Sequence, residues 1–119
     1  MLVLASTTQV LQIVLAGAVA ANQPKTYVSY YDENKEGSES KSANQVATGN
    51  STTDVTILAA PQQNFVRYVE FLSIYNKDTA SIDCTLKLDD NATETEIVRQ
   101  TIPTLRSLCW DRNNGFYIV

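Results

Sequence analysis

Polarity along this chain alternates in short steps. From Gln9 to Leu15, Leu11, Ile13 and Leu15 share one parity while Val10, Gln12 and Val14 share the other. That period of two sends successive side chains to opposite faces of a β-strand. The run Lys25 to Asp32 sets Tyr27, Ser29 and Tyr31 against Val28 and Tyr30, and "TDVTILA", Thr53 to Ala59, places Val55, Ile57 and Ala59 inward against Asp54 and Thr56. In Ser81 to Asp90, Ile82, Cys84, Leu86 and Leu88 read as inward and Asp83, Thr85 and Lys87 as outward. Three more runs, Thr95 to Ile102, Leu105 to Trp110 and Phe116 to Val119, follow the same habit. Turn residues separate them: Gly17 and Pro24, Pro61, Asp90 with Asn91, Pro103, and the Asn113-Asn114-Gly115 triplet that marks a tight hairpin. Helical periodicity is nearly absent. The pattern predicts an all-β single domain over residues 1–119, an antiparallel β-sandwich or small jelly-roll-like barrel of about eight short strands.

Two segments depart from simple alternation. Between Asn64 and Asn76, Val66, Tyr68, Leu72 and Ile74 share one parity and Phe65, Val69, Phe71 and Tyr75 the other, so both faces are apolar. A sandwich strand needs only one apolar face. The second is therefore covered by a loop, switched by a bulge near Glu70, or buried against another subunit. The opposite case is the stretch at about 33–52, "ENKEGSESKSANQVATGNST", which is almost wholly polar. It is expected to form an exposed arm, since it offers too little apolar surface to order itself, and a partner could order it.

The segment Thr7 to Asn34 also raises the question of export, because its apolar part ends in Ala-Val-Ala. An export signal carries a positive charge ahead of its apolar core, and Met1 to Asn22 contain neither Lys nor Arg, while Gln9 and Gln12 interrupt the core. The stretch reads as two retained strands joined by a small-residue crossing. No apolar run approaches the roughly 20 residues that span a bilayer.

Charge and composition narrow the chemistry. With 119 residues the chain can bury a core without staples. It carries 13 acidic against 9 basic residues and no histidine. The acidic balance disfavours nucleic acid and anionic membrane as partners. Lack of histidine removes the commonest general base and transition-metal ligand, and there is no phosphate loop or nucleophile elbow, so neither an enzyme nor a cofactor is expected. The cluster Asp89, Asp90, Asn91, Glu94 and Glu96 lacks calcium-loop spacing and reads as a solvated hairpin tip. Asn50 and Asn91 begin Asn-x-Thr/Ser triplets of the kind that turns generate by chance. Cys84 and Cys109 match no metal or redox motif; they are either buried free thiols or a disulfide between strands. Six tyrosines, three phenylalanines and one tryptophan favour core or interface packing over a sugar-binding groove.

The order "LQIVLAGAVAANQ", "YVSYYD", a polar arm, "TDVTILAAP", "RYVEFLSIYNKDTASIDCTLKLDDN" and "WDRNNGFYIV" resembles small virion proteins of tailed bacteriophages, including cyanophages, which decorate capsids or associate with tails and fibres. The resemblance covers nearly the whole chain through loose motifs. It implies a non-enzymatic structural role in the virion, docking onto a major capsid protein or another virion protein, and self-association, often as a trimer. The alternatives are a tail or fibre adaptor and, from another class, a secreted carbohydrate-binding module. Leu11, Ile13, Tyr27, Tyr30, Phe65, Tyr68, Phe71, Tyr75 and Trp110 are the residues expected to supply packing and interfaces.

Overall fold

A computed structural model covers Met1–Val119 and contains ten β-strands: β1 (Val3–Leu4), β2 (Gln9–Leu15), β3 (Lys25–Asn34), β4 (Ser40–Thr48), β5 (Val55–Leu58), β6 (Phe65–Tyr75), β7 (Ile82–Asp90), β8 (Thr93–Ile102), β9 (Ser107–Asp111) and β10 (Gly115–Ile118). They form two antiparallel sheets packed face to face. The front sheet has the order β10-β9-β6-β3-β4, with β1 also pairing β6; the back sheet has the order β5-β2-β7-β8. This is a β-sandwich. Its core comes from the inward residues of both layers. The front sheet contributes Leu4, Val28, Val69, Leu72, Ile74, Leu108 and Trp110, and the back sheet Leu11, Ile13, Leu15, Ile57, Leu58, Ile82, Cys84, Leu86 and Ile102.

Register shifts decide which residues face in. Opposite Ser29 and Tyr30 of β3 stand Phe71 and Val69 of β6, so Glu70 is an extra residue on the bulged strand. Parity flips there: Arg67 and Val69 point inward before the bulge, Leu72 and Ile74 after it. Of the three explanations for an apolar second face, the bulge at Glu70 accounts for the alternation. A second shift, between Leu11 and Gln12 of β2, leaves Ile57 as the extra residue of β5. Ile57 and the adjacent Leu58 are accordingly both buried, whereas Ala59, expected inward, is exposed.

The polar stretch 33–52 is exposed, but it is no free arm: its middle, residues 40–48, is β4, paired along its whole length with β3 from Lys25↔Thr48 to Glu33↔Ser40. Backbone pairing against a long preformed strand orders it without an apolar face. The turn between them uses Gly37 at φ 75° and an Asn34 side chain that accepts the Glu36 N–H at 2.7 Å. The other unforeseen strand, β1, is two residues long, too short to show a period, yet Leu4 is fully buried.

Polar groups lock the sandwich at one end and along its flank. Asp78 is buried in the β6–β7 connection and accepts three backbone N–H groups, from Ala20 (2.8 Å), Ala21 (2.8 Å) and Asn22 (3.0 Å). The small-residue crossing between β2 and β3 is thereby pinned. Asn76 donates its side-chain amide to the Ala80 and Ile102 carbonyls at 2.9 Å each, and its Oδ1 accepts the Asp78 N–H. The N–H donors, Ala20 first, hold the Asp78 carboxyl down at about 2 against the opposing effect of burial. On the back sheet, Lys87 lies between Asp54 (2.8 Å) and Glu94 (2.9 Å), tying β7 to β8 and to the approach to β5.

The two-residue β7–β8 loop has Asn91 and Ala92 at φ 51° and 72°, and an alanine there carries the left-handed penalty of about 1 kcal/mol that glycine avoids. Ala92→Gly should stabilise the protein by about 0.5–1 kcal/mol in urea denaturation; a loss of stability would contradict the turn assignment. For Asp78, the folded pKa lies below that of the unfolded chain, so its stabilisation is complete above about pH 4 and disappears as the pH falls toward 2. Asp78→Asn should melt lower than wild type at pH 7 and lose part of the wild-type decline between pH 4 and 2. An unchanged acid slope would show that these hydrogen bonds contribute nothing to acid unfolding.

Candidate interaction face

The outer surface of the front sheet collects the aromatic residues that the core does not use. On β3, Tyr27 and Tyr31 point outward because Thr26, Val28, Tyr30 and Asp32 point in. On β6 the Glu70 bulge brings Tyr68 to the same side as Phe71 and Tyr75, which strict alternation would separate. Cross-strand pairing then builds contacts between the two strands: Tyr31 lies opposite Tyr68, with ring centroids 5.0 Å apart and planes at 20°. Tyr27 and Phe71 meet at 6.4 Å with a 50° tilt. Such stacked and tilted pairs are favourable arrangements of aromatic quadrupoles. Tyr27 is 40 % exposed and its β4 neighbour Val46 69 % exposed. Tyr31, Tyr68, Phe71 and Tyr75 are half-buried.

At one edge of this row a groove of about 460 Å³ runs between β3, β4 and β6, lined by Lys25, Tyr27, Val46, Thr48, Ser73 and Tyr75 among others. Lys25 donates to the Thr48 hydroxyl at 2.8 Å. On the other side of the row, β9 and β10 add Cys109, Asp111 and Tyr117. Asp111 is held below the usual carboxylate range, chiefly by the Asn114 side chain and also by the Asn113 and Asn114 N–H groups. Tyr117 is raised, by burial first and by Asp111 second.

Beneath the row lies a charged anchor. Arg67, 8 % exposed, faces inward and makes two bonds to Asp32, at 2.8 and 2.9 Å, and a third to the Ala59 carbonyl at 2.7 Å. Its guanidinium lies 4.2 Å from the centre of the Tyr30 ring, within cation–π range. The Asp32 hydrogen bond outweighs desolvation and raises the Arg67 pKa. Since Gln45 Oε1 also accepts the Ala59 N–H, the anchor fixes β3, β4, β6 and the β5–β6 connection together. It ties together the strands that carry the aromatic row.

The residues singled out from sequence thus separate. Tyr27, Tyr68, Phe71 and Tyr75 share the outer face. Leu11, Ile13 and Trp110 are buried in the core; Tyr30 packs from the inner side against the core and Arg67; Phe65 is half-buried at the start of β6. Tyr31, Val46 and the Arg67–Asp32 pair were not among the expected residues. The alternation Tyr27, Ser29, Tyr31 carried a signal for Tyr31; nothing local in the sequence signals a contact between Arg67 and Asp32. The cysteines are free and buried, Cys84 on the inner side of β7 and Cys109 on the outer side of β9. Comparison with protein-family models, curated proteins and solved structures found no match for this chain.

The two faces of β6 should respond differently to truncation. Leu72→Ala, in the core, should cost about 2–5 kcal/mol in urea denaturation. Tyr68→Ala, on the outer face, loses one ring stack and should cost about 0.5–1.5 kcal/mol with cooperative unfolding retained. Equal losses would place Tyr68 in the core.

Proposed function

We propose that this chain is a structural protein of a tailed-phage virion, a decoration (cement) protein that binds the assembled head as a small oligomer and stabilises it. The observation that carries this reading is the outward aromatic row of the front sheet, a set of half-buried rings of the residue type enriched at protein interfaces. The partner is proposed from the resemblance of the segment order to small phage virion proteins. A ligand that binds the assembled shell and not its separated subunits stabilises the shell by mass action. The net charge of −4 suits an outer position away from packaged DNA. A sugar platform is the weaker alternative, because Tyr31 and Tyr68 stack on one another and leave less ring face for a pyranose.

The test is co-sedimentation of the purified chain with heads of its phage. Wild type should pellet with heads, and the double variant Tyr68→Ser with Phe71→Ser should bind at least about 10-fold more weakly while still melting cooperatively. Equal binding by the double variant would remove this face from the contact. Label found only on tails would replace the decoration reading with a tail or fibre adaptor.

A further inference from the structure

Apart from the two-residue β1, the sandwich has four edge strands, and three are protected. On the back sheet, β8 carries Glu94, Glu96 and Arg99 and is kinked, because Ile97 is an extra residue between Val98, opposite Leu86, and Glu96, opposite Lys87. The other back edge, β5, has four residues and follows Asp54, which is engaged by Lys87. On the front sheet, β10 is equally short. Charge, bulges and brevity are the usual means by which natural sheets block further pairing.

The fourth edge, β4, has neither a bulge nor brevity, and only one charged residue. It is nine residues long, pairs with β3 in unbroken register, and contains no proline. Its single charged residue, Lys41, lies 3.6 Å from Glu39. The hydrogen-bond phase of the ladder is set at both ends, where the Asn34 N–H donates to the Glu39 carbonyl and the Gly49 N–H to the Pro24 carbonyl. The odd-numbered residues of β4 therefore bond to β3. By antiparallel alternation, Ser40, Ser42, Asn44, Val46 and Thr48 turn their N–H and C=O groups away from the sheet. The same residues carry side chains on the outer face, and among them is Val46, the most exposed large hydrophobic residue of the chain at 69 %.

We infer that β4 pairs antiparallel with β4 of a second copy of this chain, joining two front sheets into one continuous sheet. Self-pairing is favoured over an unrelated strand because β4 complements itself. A two-fold axis at Gln45 sets Asn44 opposite Val46 and Ser42 opposite Thr48 of the second copy, and puts the two Val46 side chains in diagonal contact. Tyr27 then flanks the valines on each side. Lys41 falls opposite Gly49 of the second copy, so no like charges meet within the ladder. The contact is isologous and closes on itself as a pair. It would place two aromatic rows on one surface, but it is a property of the purified chain and holds or fails without reference to any virion.

Sedimentation of purified protein should give, with rising concentration, twice the chain mass of 13.1 kDa. Asn44→Pro is the discriminating variant. It removes an outward N–H that β3 does not use, so the fold should melt as wild type while the pair is lost. Amide exchange on the wild type supplies a second reading should that variant fail to fold. Lys41, Ala43, Gln45 and Ala47 amides should be protected at every concentration, and Ser42, Asn44, Val46 and Thr48 amides only where pairs form. A chain that stays single at millimolar concentration would overturn the inference. So would pairs that leave the even-numbered amides unprotected, or a folded Asn44→Pro variant that still pairs.

Discussion

The extra residue at Glu70 is the constraint on which the front sheet depends. A regular strand from Phe65 to Tyr75 would commit one parity to the core, and either Val69 or Leu72 with Ile74 would lie outside it. The bulge lets β6 contribute Arg67, Val69, Leu72 and Ile74 to the interior in succession. The complementary set, Tyr68, Phe71 and Tyr75, is thereby gathered outside. Core and aromatic surface are two products of one backbone irregularity. The same strand changes partners near this point, pairing with β1 through Arg67 and Tyr68 and with β9 from Phe71 onward.

Hydrophobic burial holds the layers together, but buried polar groups choose how the connections lie across them. Asp78 and Asn76 pair with backbone donors and acceptors of the small-residue crossing, the β6–β7 connection and the end of β8. Arg67 does the same for Ala59 while neutralising Asp32. Each of these buried side chains has its partners within hydrogen-bond reach, which is the condition under which buried charge is tolerated.

Much of this fold is legible in the sequence. Period-two runs locate the strands β2, β3 and β5 to β10, and the conflict of parities between Asn64 and Asn76 already marks Glu70 as a place where the strand can switch faces. What escapes has physical reasons. β4 carries no alternating apolar signal because it is ordered through its main chain, by a neighbour whose length alone provides the template. β1 is shorter than one repeat of the pattern. The Ile57 irregularity moves Leu58 in and Ala59 out, and bulges of this kind arise from pairing between distant segments that a local period cannot report. On the outer face, Tyr68 and Phe71 are recognisable as aromatic, but their adjacency depends on the bulge, and Tyr31 joins them only through cross-strand register.

The two thiols give the fold a further property. Cys84 faces the interior and burial pushes its pKa up to about 12; Cys109, 5 % exposed, is raised by burial as well. At neutral pH such a group stays in the thiol form, and thiolate is the species that attacks disulfides and reacts with oxidants. The two sulfurs belong to different sheets, Cys84 facing the interior and Cys109 the outer side of the front sheet. The folded chain thus holds both cysteines as buried neutral thiols, Cys84 as filler of the core and Cys109 beneath the outer face of the front sheet.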